Sequence, residues 1–232
     1  MQRTTDIPNL ATSTPLWLAL LTVGVNAMVG ALRGYSDETR QWDIVGVSAF
    51  ALLMGLGGGF IRDTLLGNLP AESLRSPWYV VSVLAGTAVV ILVGRHLAHV
   101  DRLTALLNSL ALGLFAVTGT AYGLAFGLPY VSAILLGAIS AVGGGVLVSV
   151  LQGQTASILL AGTPNALLAV WGSATYALVS VWSPSVASLA GITASMLAQY
   201  AVSVFGLTTR PAAWRHRGHT SERSDHSSDD AR

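Results

Sequence analysis

Few side chains in this sequence have chemistry to offer, and the most distinctive follow a run of glycines. Gly57-Gly58-Gly59 leads into Arg62-Asp63, the only ionisable pair immediately beyond a triple glycine in the chain. An arginine at the centre of a bilayer costs at least about 2.5 kcal/mol on a lenient scale, so such a residue seeks an internal partner, water or an interface. Covalent catalysis would need a nucleophile beside a base, or metal ligands, placed among apolar residues, and no such set is visible. His96 and His99 sit with Arg95, Asp101 and Arg102 in a loop, and His216, His219 and His226 lie in a polar tail. No phosphate-binding or zinc motif occurs, and the absence of cysteine excludes disulfides and thiolate sites. The expectation is a protein with no cofactor, no metal and no enzymatic activity.

The elements that must position Arg62 and Asp63 are set by composition. Hydrophobic residues make up 52% of the chain and charged residues 10%, where soluble domains carry roughly 25% charge. From Leu103 to Leu207 there is no Asp, Glu, Lys or Arg, and a water-facing domain does not tolerate such a stretch. A net charge of +1 gives no electrostatic case for a nucleic-acid partner.

Runs long enough to cross a bilayer, about 20 residues each, begin at Pro15, Asp43, Pro77, Leu103, Tyr130, Pro164 and Val186. They end near Leu32, Leu66, Gly94, Gly123, Leu151, Val181 and Leu207. The first run follows Arg3 and Asp6 and has no clear cleavage site, so it reads as a retained helix rather than a signal peptide. Seven spans place Arg33, Arg40, Arg95, Arg102, Arg210, Arg215 and Arg217 on one side and Arg3, Arg62 and Arg75 on the other. The positive-inside rule then predicts an outside N-terminus and a cytoplasmic C-terminus, in a multi-pass protein of the cell inner (plasma) membrane. Residues 1–14 form an N-terminal segment, and residues 208–232 read as a disordered tail.

The glycine run recurs. Gly57 to Gly67 aligns with Gly143 to Gly153, so that Gly57, Gly58 and Gly59 match Gly143, Gly144 and Gly145. Each copy ends the middle helix of a three-span group. The predicted fold is therefore an all-α membrane protein of seven transmembrane helices: two three-helix repeats (15–94 and 103–181) and a seventh helix (186–207). Three is odd, so the second repeat is inverted. Inverted repeats with interrupted helices commonly build membrane conduits, with the solute path at the repeat interface.

Three glycines cost a helix roughly 1 kcal/mol each relative to alanine, and backbone freed by a bend persists only where protein or a watered cavity solvates it. Small residues also let transmembrane backbones approach closely. The symmetric recurrence favours kinked, cavity-lining helices, with packing as a compatible second role. On that reading Arg62 and Asp63 lie at the mouth or gate of the path, against snorkelling as the plainer account. Their counterparts are Val148 and Ser149, which places Ser149 with them among the mouth or gate candidates and makes the path electrostatically lopsided. Asn26, Ser82, Thr87, Asn108, Thr118 and Ser140 are the candidate lining groups, although isolated Ser and Thr usually bond back to their own helix.

The string Gly-x-Gly-Gly-Gly-x-x-Arg-Asp-x-x-x-Gly at Gly55 to Gly67, preceded by Asp-Ile-Val-Gly at Asp43 to Gly46 and echoed at Gly143, resembles the prokaryotic trimeric intracellular cation (TRIC) channels. The similarity runs from about Leu16 to Leu207. It implies a homotrimer in membrane lipid, a hydrophilic pore in each protomer for potassium or sodium ions, and bends at Gly57 to Gly59 and Gly143 to Gly145 that shape the pore and its gate. Many bacterial relatives repeat Arg-Asp after the second triplet; here Val148-Ser149 leaves charge-dependent gating at that end unsupported. The chain also lacks lysine, so the lysine contacts of animal relatives do not carry over. A carrier of a small neutral metabolite such as glycine is the alternative, since duplicated folds with broken helices serve carriers equally well.

Overall fold

The computed structural model describes residues 15–37, 40–97, 101–156 and 164–206. The N-terminal segment 1–14, His99 and the tail 208–232 lie outside the described residues. Eight helices occur among those described: α1 Leu16–Tyr35, α2 Ile44–Leu65, the short α3 Glu72–Arg75, α4 Pro77–Leu97, α5 Asp101–Ala125, α6 Tyr130–Leu151, α7 Asn165–Val179 and α8 Pro184–Phe205. Local chemistry sets several ends. Asp43 caps α2 by accepting the Gly46 N–H at 2.8 Å. Pro184 sits in the first turn of α8, where its missing N–H costs nothing, and a left-handed Gly206 closes that helix.

Six of these helices are long and apolar enough to cross a membrane, and the chain is a multi-pass membrane protein. The expected sixth span is shorter than the rest. α7 has 15 residues, which rise about 22 Å against a hydrocarbon core of about 30 Å. Polarity is turned inward. Leu92, Trp182 and Val45 stand exposed on the outside, whereas Asn26, Thr22, Thr120, Ser140, Ser173 and Asp63 are buried. Most of the buried hydroxyls return to their own helix four residues back, as Thr22 does to Leu18 O at 2.7 Å and Thr118 to Leu114 O at 2.9 Å.

The repeat is legible in the coordinates. Adding 86, the offset from Gly57 to Gly143, carries the bounds of α2 onto those of α6. It also carries the positive-φ turn at Gly67 (68°) onto Gly153 (67°). After each turn the same bond closes the helix, Asn68 N–H to Asp63 O at 2.8 Å and Gln154 N–H to Ser149 O at 2.9 Å. α1, α2 and α4 pack on one another, as do α5, α6 and α7; the two groups meet through α2 on α6 and α1 on α5, and α8 lies against α5 and α7.

The α2–α6 contact is two-fold. A Cβ built at Gly57 would stand 2.6 Å from Leu147, and one at Gly143 would stand 2.7 Å from Ile61, the position equivalent to Leu147. A Cβ at Gly58 would collide with the Ser140 carbonyl, and one at Gly144 would lie 2.6 Å from the carbonyl of Met54, the equivalent of Ser140. The lower number of one helix meets the higher number of the other, so the helices run antiparallel and the second repeat is upside down.

The triplets differ from expectation in one respect. Both helices run uninterrupted through their glycines, so no backbone there is released for a cavity to solvate. The reason is the crossing itself: bare glycine faces let two backbones meet, and that contact offsets the poor helix propensity.

Candidate functional site

Two cavities have residues of this crossing's two helices in their walls. The first, about 360 Å³ counting the part open to the outside, has Thr22, Gly55, Leu56, Gly59, Arg62, Tyr79 and Thr118 in its wall. The second, about 430 Å³ on the same basis, has Asn26, Arg33, Asn108, Ala141, Val142, Gly145 and Asn165. They are related by the repeat. Thr22 maps onto Asn108, Gly55 onto Ala141, Leu56 onto Val142, Gly59 onto Gly145 and Tyr79 onto Asn165, all at the offset of 86. On each of three helices one lining set gives way to the other within a turn: Thr22 to Asn26 on α1, Gly55 to Met54 on α2, and Phe115 to Leu112 on α5. The septum between the cavities is therefore about 5 Å of helix, one turn. Asn26 stands in it, 2% exposed. Its Nδ2 donates to Thr22 O at 2.9 Å and across to Ala111 O at 3.3 Å, tying α1 to α5.

Arg62 closes the first cavity and is itself held on three sides. Its Nε donates to Asp63 Oδ1 at 2.8 Å and its second terminal nitrogen lies 2.7 Å from the same oxygen. Glu72 Oε2 is 3.8 Å away, and the guanidinium carbon stands 3.6 Å over the Tyr122 ring. Chain geometry makes this possible. After the left-handed Gly67 the backbone turns back over the end of α2, where Asp63 Oδ2 accepts the Glu72 N–H at 2.9 Å at the start of α3. Tyr122 then donates its hydroxyl to Glu72, and Arg75 reaches Asn68 Oδ1 at 3.1 Å. One guanidinium thus faces two carboxylates and a ring face, an arrangement that compensates a buried charge.

The structure sorts the residues expected from sequence into three groups. Gly59, Gly145, Arg62, Asn26, Asn108 and Thr118 line the cavities. Gly57, Gly58, Gly143 and Gly144 form the crossing, where Ser140 Oγ also donates to Gly58 O at 3.2 Å. Asp63 stands behind Arg62. Ser82 and Thr87 belong elsewhere: Ser82 bonds Leu20 O at 2.7 Å between α4 and α1, and Thr87 bonds Val83 O on its own helix. Ser149 likewise returns to Gly145 O at 2.9 Å. Sequence reasoning did not single out Thr22, Glu72, Tyr79, Tyr122 or Asn165, and took Arg33 only as a marker of orientation. The repeat offset would have found one of them, because Thr22 is the partner of the singled-out Asn108; Tyr79 and Asn165 are partners of each other.

The protein-family profile described as "Glycine transporter" matches residues 16–95 and 105–181. Among curated proteins, the UPF0126 membrane protein of Deinococcus radiodurans is 33% identical over 123 residues, 53% of this chain and 56% of that protein. The UPF0126 membrane protein YvgT of Bacillus subtilis is 28% identical over 127 residues, 53% of this chain and 60% of its own. The matched region thus spans little more than half the length of these relatives. The solved structure of the TRIC trimeric intracellular cation channel orthologue from Rhodobacter sphaeroides aligns at a TM-score of 0.74 and 28% identity, covering 85% of this chain and all of that one. The resemblance drawn from the glycine-Arg-Asp string holds at the level of the fold, which is that of the TRIC channels.

Proposed function

Because the chain belongs to the family described as "Glycine transporter" and has the fold of the TRIC channels, we propose that it conducts small monovalent cations, potassium or sodium, through each protomer. One observation supports this reading: two cavities of mixed polar and apolar lining are related by the internal repeat, and their linings give way to one another within about a helical turn. The Arg62 mouth is suited to a cation despite its arginine, since Asp63 and Glu72 outnumber it. Thr22, Thr118, Asn26 and Asn108 offer oxygen along the walls. With no ring of carboxylates in the middle among the described residues, discrimination between potassium and sodium is weak.

The septum is the closed gate, and opening separates the walls at Asn26 and Phe115. The glycine crossing is the pivot: a bend at Gly57 to Gly59 or at Gly143 to Gly145 changes the axis of a helix whose hydrogen bonds stay intact. The protein works as a homotrimer in the lipid of the inner membrane, with the Arg62 mouth outside, the Arg33 mouth facing the cytoplasm, and no covalent step. Its solved neighbour is described as trimeric.

Recording from purified protein in a planar bilayer under a potassium chloride gradient tests the proposal. Unitary currents reversing near the potassium equilibrium potential are expected; silent bilayers with protein demonstrably inserted would remove it. A carrier of a small neutral metabolite is the second reading, favoured by the uncharged stretch from Leu103 to Leu207.

A further inference from the structure

The two cavities are related by the repeat but differ in charge. Arg62 has Asp63, Glu72 and Tyr122 around it. The arginine of the other cavity is Arg33, and it comes from α1 rather than from α6: Val148 stands where Arg62 stands, and Ser149 where Asp63 stands. The Arg33 guanidinium lies beside the third glycine of the second triplet, where a Cβ built on Gly145 would be 3.7 Å from one terminal nitrogen and 4.0 Å from the other. No carboxylate of a described residue comes within ion-pair range of it. Asp37, four residues on, accepts from other donors, Trp42 Nε1 at 2.7 Å and Gln152 Nε2 at 3.4 Å. Ser149, one turn beyond Gly145, gives its hydroxyl to Gly145 O.

A charge drawn into an apolar bundle is costly unless a counter-charge or polar groups compensate it. Asp63 and Glu72 are that compensation for Arg62. For Arg33 it comes from the cavity, in whose wall Arg33 is the one charged residue among those described and Asn108 brings an amide that can also donate. One positive charge with a second donor beside it, in a lining otherwise made largely of residues such as Met54, Leu112 and Val142, matches a small ion with one negative charge. We propose that the Arg33 cavity binds a small inorganic anion such as chloride, held by the Arg33 guanidinium and the Asn108 amide. The anion does for this cavity what Asp63 and Glu72 do for the other. With it in place a cation meets no net positive charge at this end of the route; without it the two ends carry opposite charge, and current depends on direction. The role of the anion rests on the conduit reading, but its binding does not.

Cysteine reporters test the site without any current, because the chain has no thiol of its own. Val142→Cys places one in the Arg33 cavity and leaves Arg33 and Asn108 untouched, and Thr118→Cys places one in the other cavity. Purified oligomer in detergent is treated with neutral, anionic and cationic methanethiosulfonates in potassium gluconate, and rates are read by mass spectrometry relative to those of a small free thiol. Val142→Cys should favour the anionic reagent, and Thr118→Cys should not. Arg33→Gln or Ser149→Asp, each added to Val142→Cys, should lower the anionic-to-cationic ratio roughly three- to tenfold, the effect of removing or cancelling one charge a few ångströms away in a hydrated site. Replacing gluconate by chloride at equal concentration should lower the ratio as well, since the smaller anion occupies the site and the bulkier one does not. The proposal is overturned by equal preference at the two thiols, by a ratio unchanged in Arg33→Gln, by equal ratios in chloride and gluconate, or by a Val142→Cys thiol that the neutral reagent does not reach. If the added substitutions do not elute as the native oligomer, the comparison of chloride with gluconate decides, because it needs neither. Potassium currents are recorded from the same preparations. Currents without the anionic preference sink this site and leave the cation route standing; the preference without currents supports the site and sinks the cation route.

Discussion

Replacing single glycines of the triplets by alanine separates packing from bending. A methyl at Gly144 would sit 2.6 Å from the Met54 carbonyl, and one at Gly58 would press harder still on that of Ser140. Ordinary contact begins at 3.4 Å, so α2 and α6 must part by roughly 0.8 Å at a close-packed crossing, an overpacking that costs about 1–3 kcal/mol. Alanine returns only about 1 kcal/mol in helix propensity. The third glycines differ: a Cβ at Gly59 meets nothing within 4 Å, and one at Gly145 meets only the side-chain ends of Arg33 and Met54, at 3.7 Å and beyond. Gly58→Ala and Gly144→Ala should therefore lose up to about 2 kcal/mol, while Gly59→Ala and Gly145→Ala should be neutral or gain up to about 1 kcal/mol. Equilibrium unfolding by a denaturing detergent, with the oligomer checked by size exclusion, gives the four differences. If all four shift alike, the crossing is not what the glycines are for.

Four further outcomes follow from the same geometry. Asp63→Asn removes the nearest counter-charge from a buried arginine and should destabilise by about 3–5 kcal/mol, read in the same unfolding assay; Tyr122→Phe keeps the ring under Arg62 and loses the hydroxyl that bonds Glu72, for about 1 kcal/mol. Asn26→Leu puts an apolar side chain into the septum and should lower unitary conductance in a planar bilayer, with little change in expression or oligomer size. Ser82→Ala removes a bond between α4 and α1 away from both cavities, so it should cost about 1 kcal/mol of stability and leave conductance unchanged.

The spans and the duplication were legible because both are patterns along the chain: apolar runs bounded by Pro, Asp or Gly, and a glycine string that recurs at one offset. Five starts fell within a residue of the helices, and α6 was placed at Tyr130–Leu151 as found. What a linear reading misses is which face a residue meets. Gly57 and Gly58 look like helix breakers in sequence, but they touch α6, and α2 runs unbroken through them. Arg62 and Asp63 announced a buried charge, whereas Glu72 and Tyr122 come from a turn-back and a distant helix, and nothing in their neighbourhoods marks them. Ser82 and Thr87 show the converse, polar groups within spans that their own bundle satisfies.

On the proposed mechanism one water-filled route joins the two cavities inside a single chain. Because the protein has no cysteine, Thr118→Cys and Asn108→Cys each place one thiol in a different cavity without any prior engineering. A charged methanethiosulfonate reagent applied to bilayers carrying potassium current should reduce the current from one side only in Thr118→Cys and from the other side only in Asn108→Cys. Currents untouched at both positions, while mass spectrometry shows both thiols modified, would place the route outside these cavities.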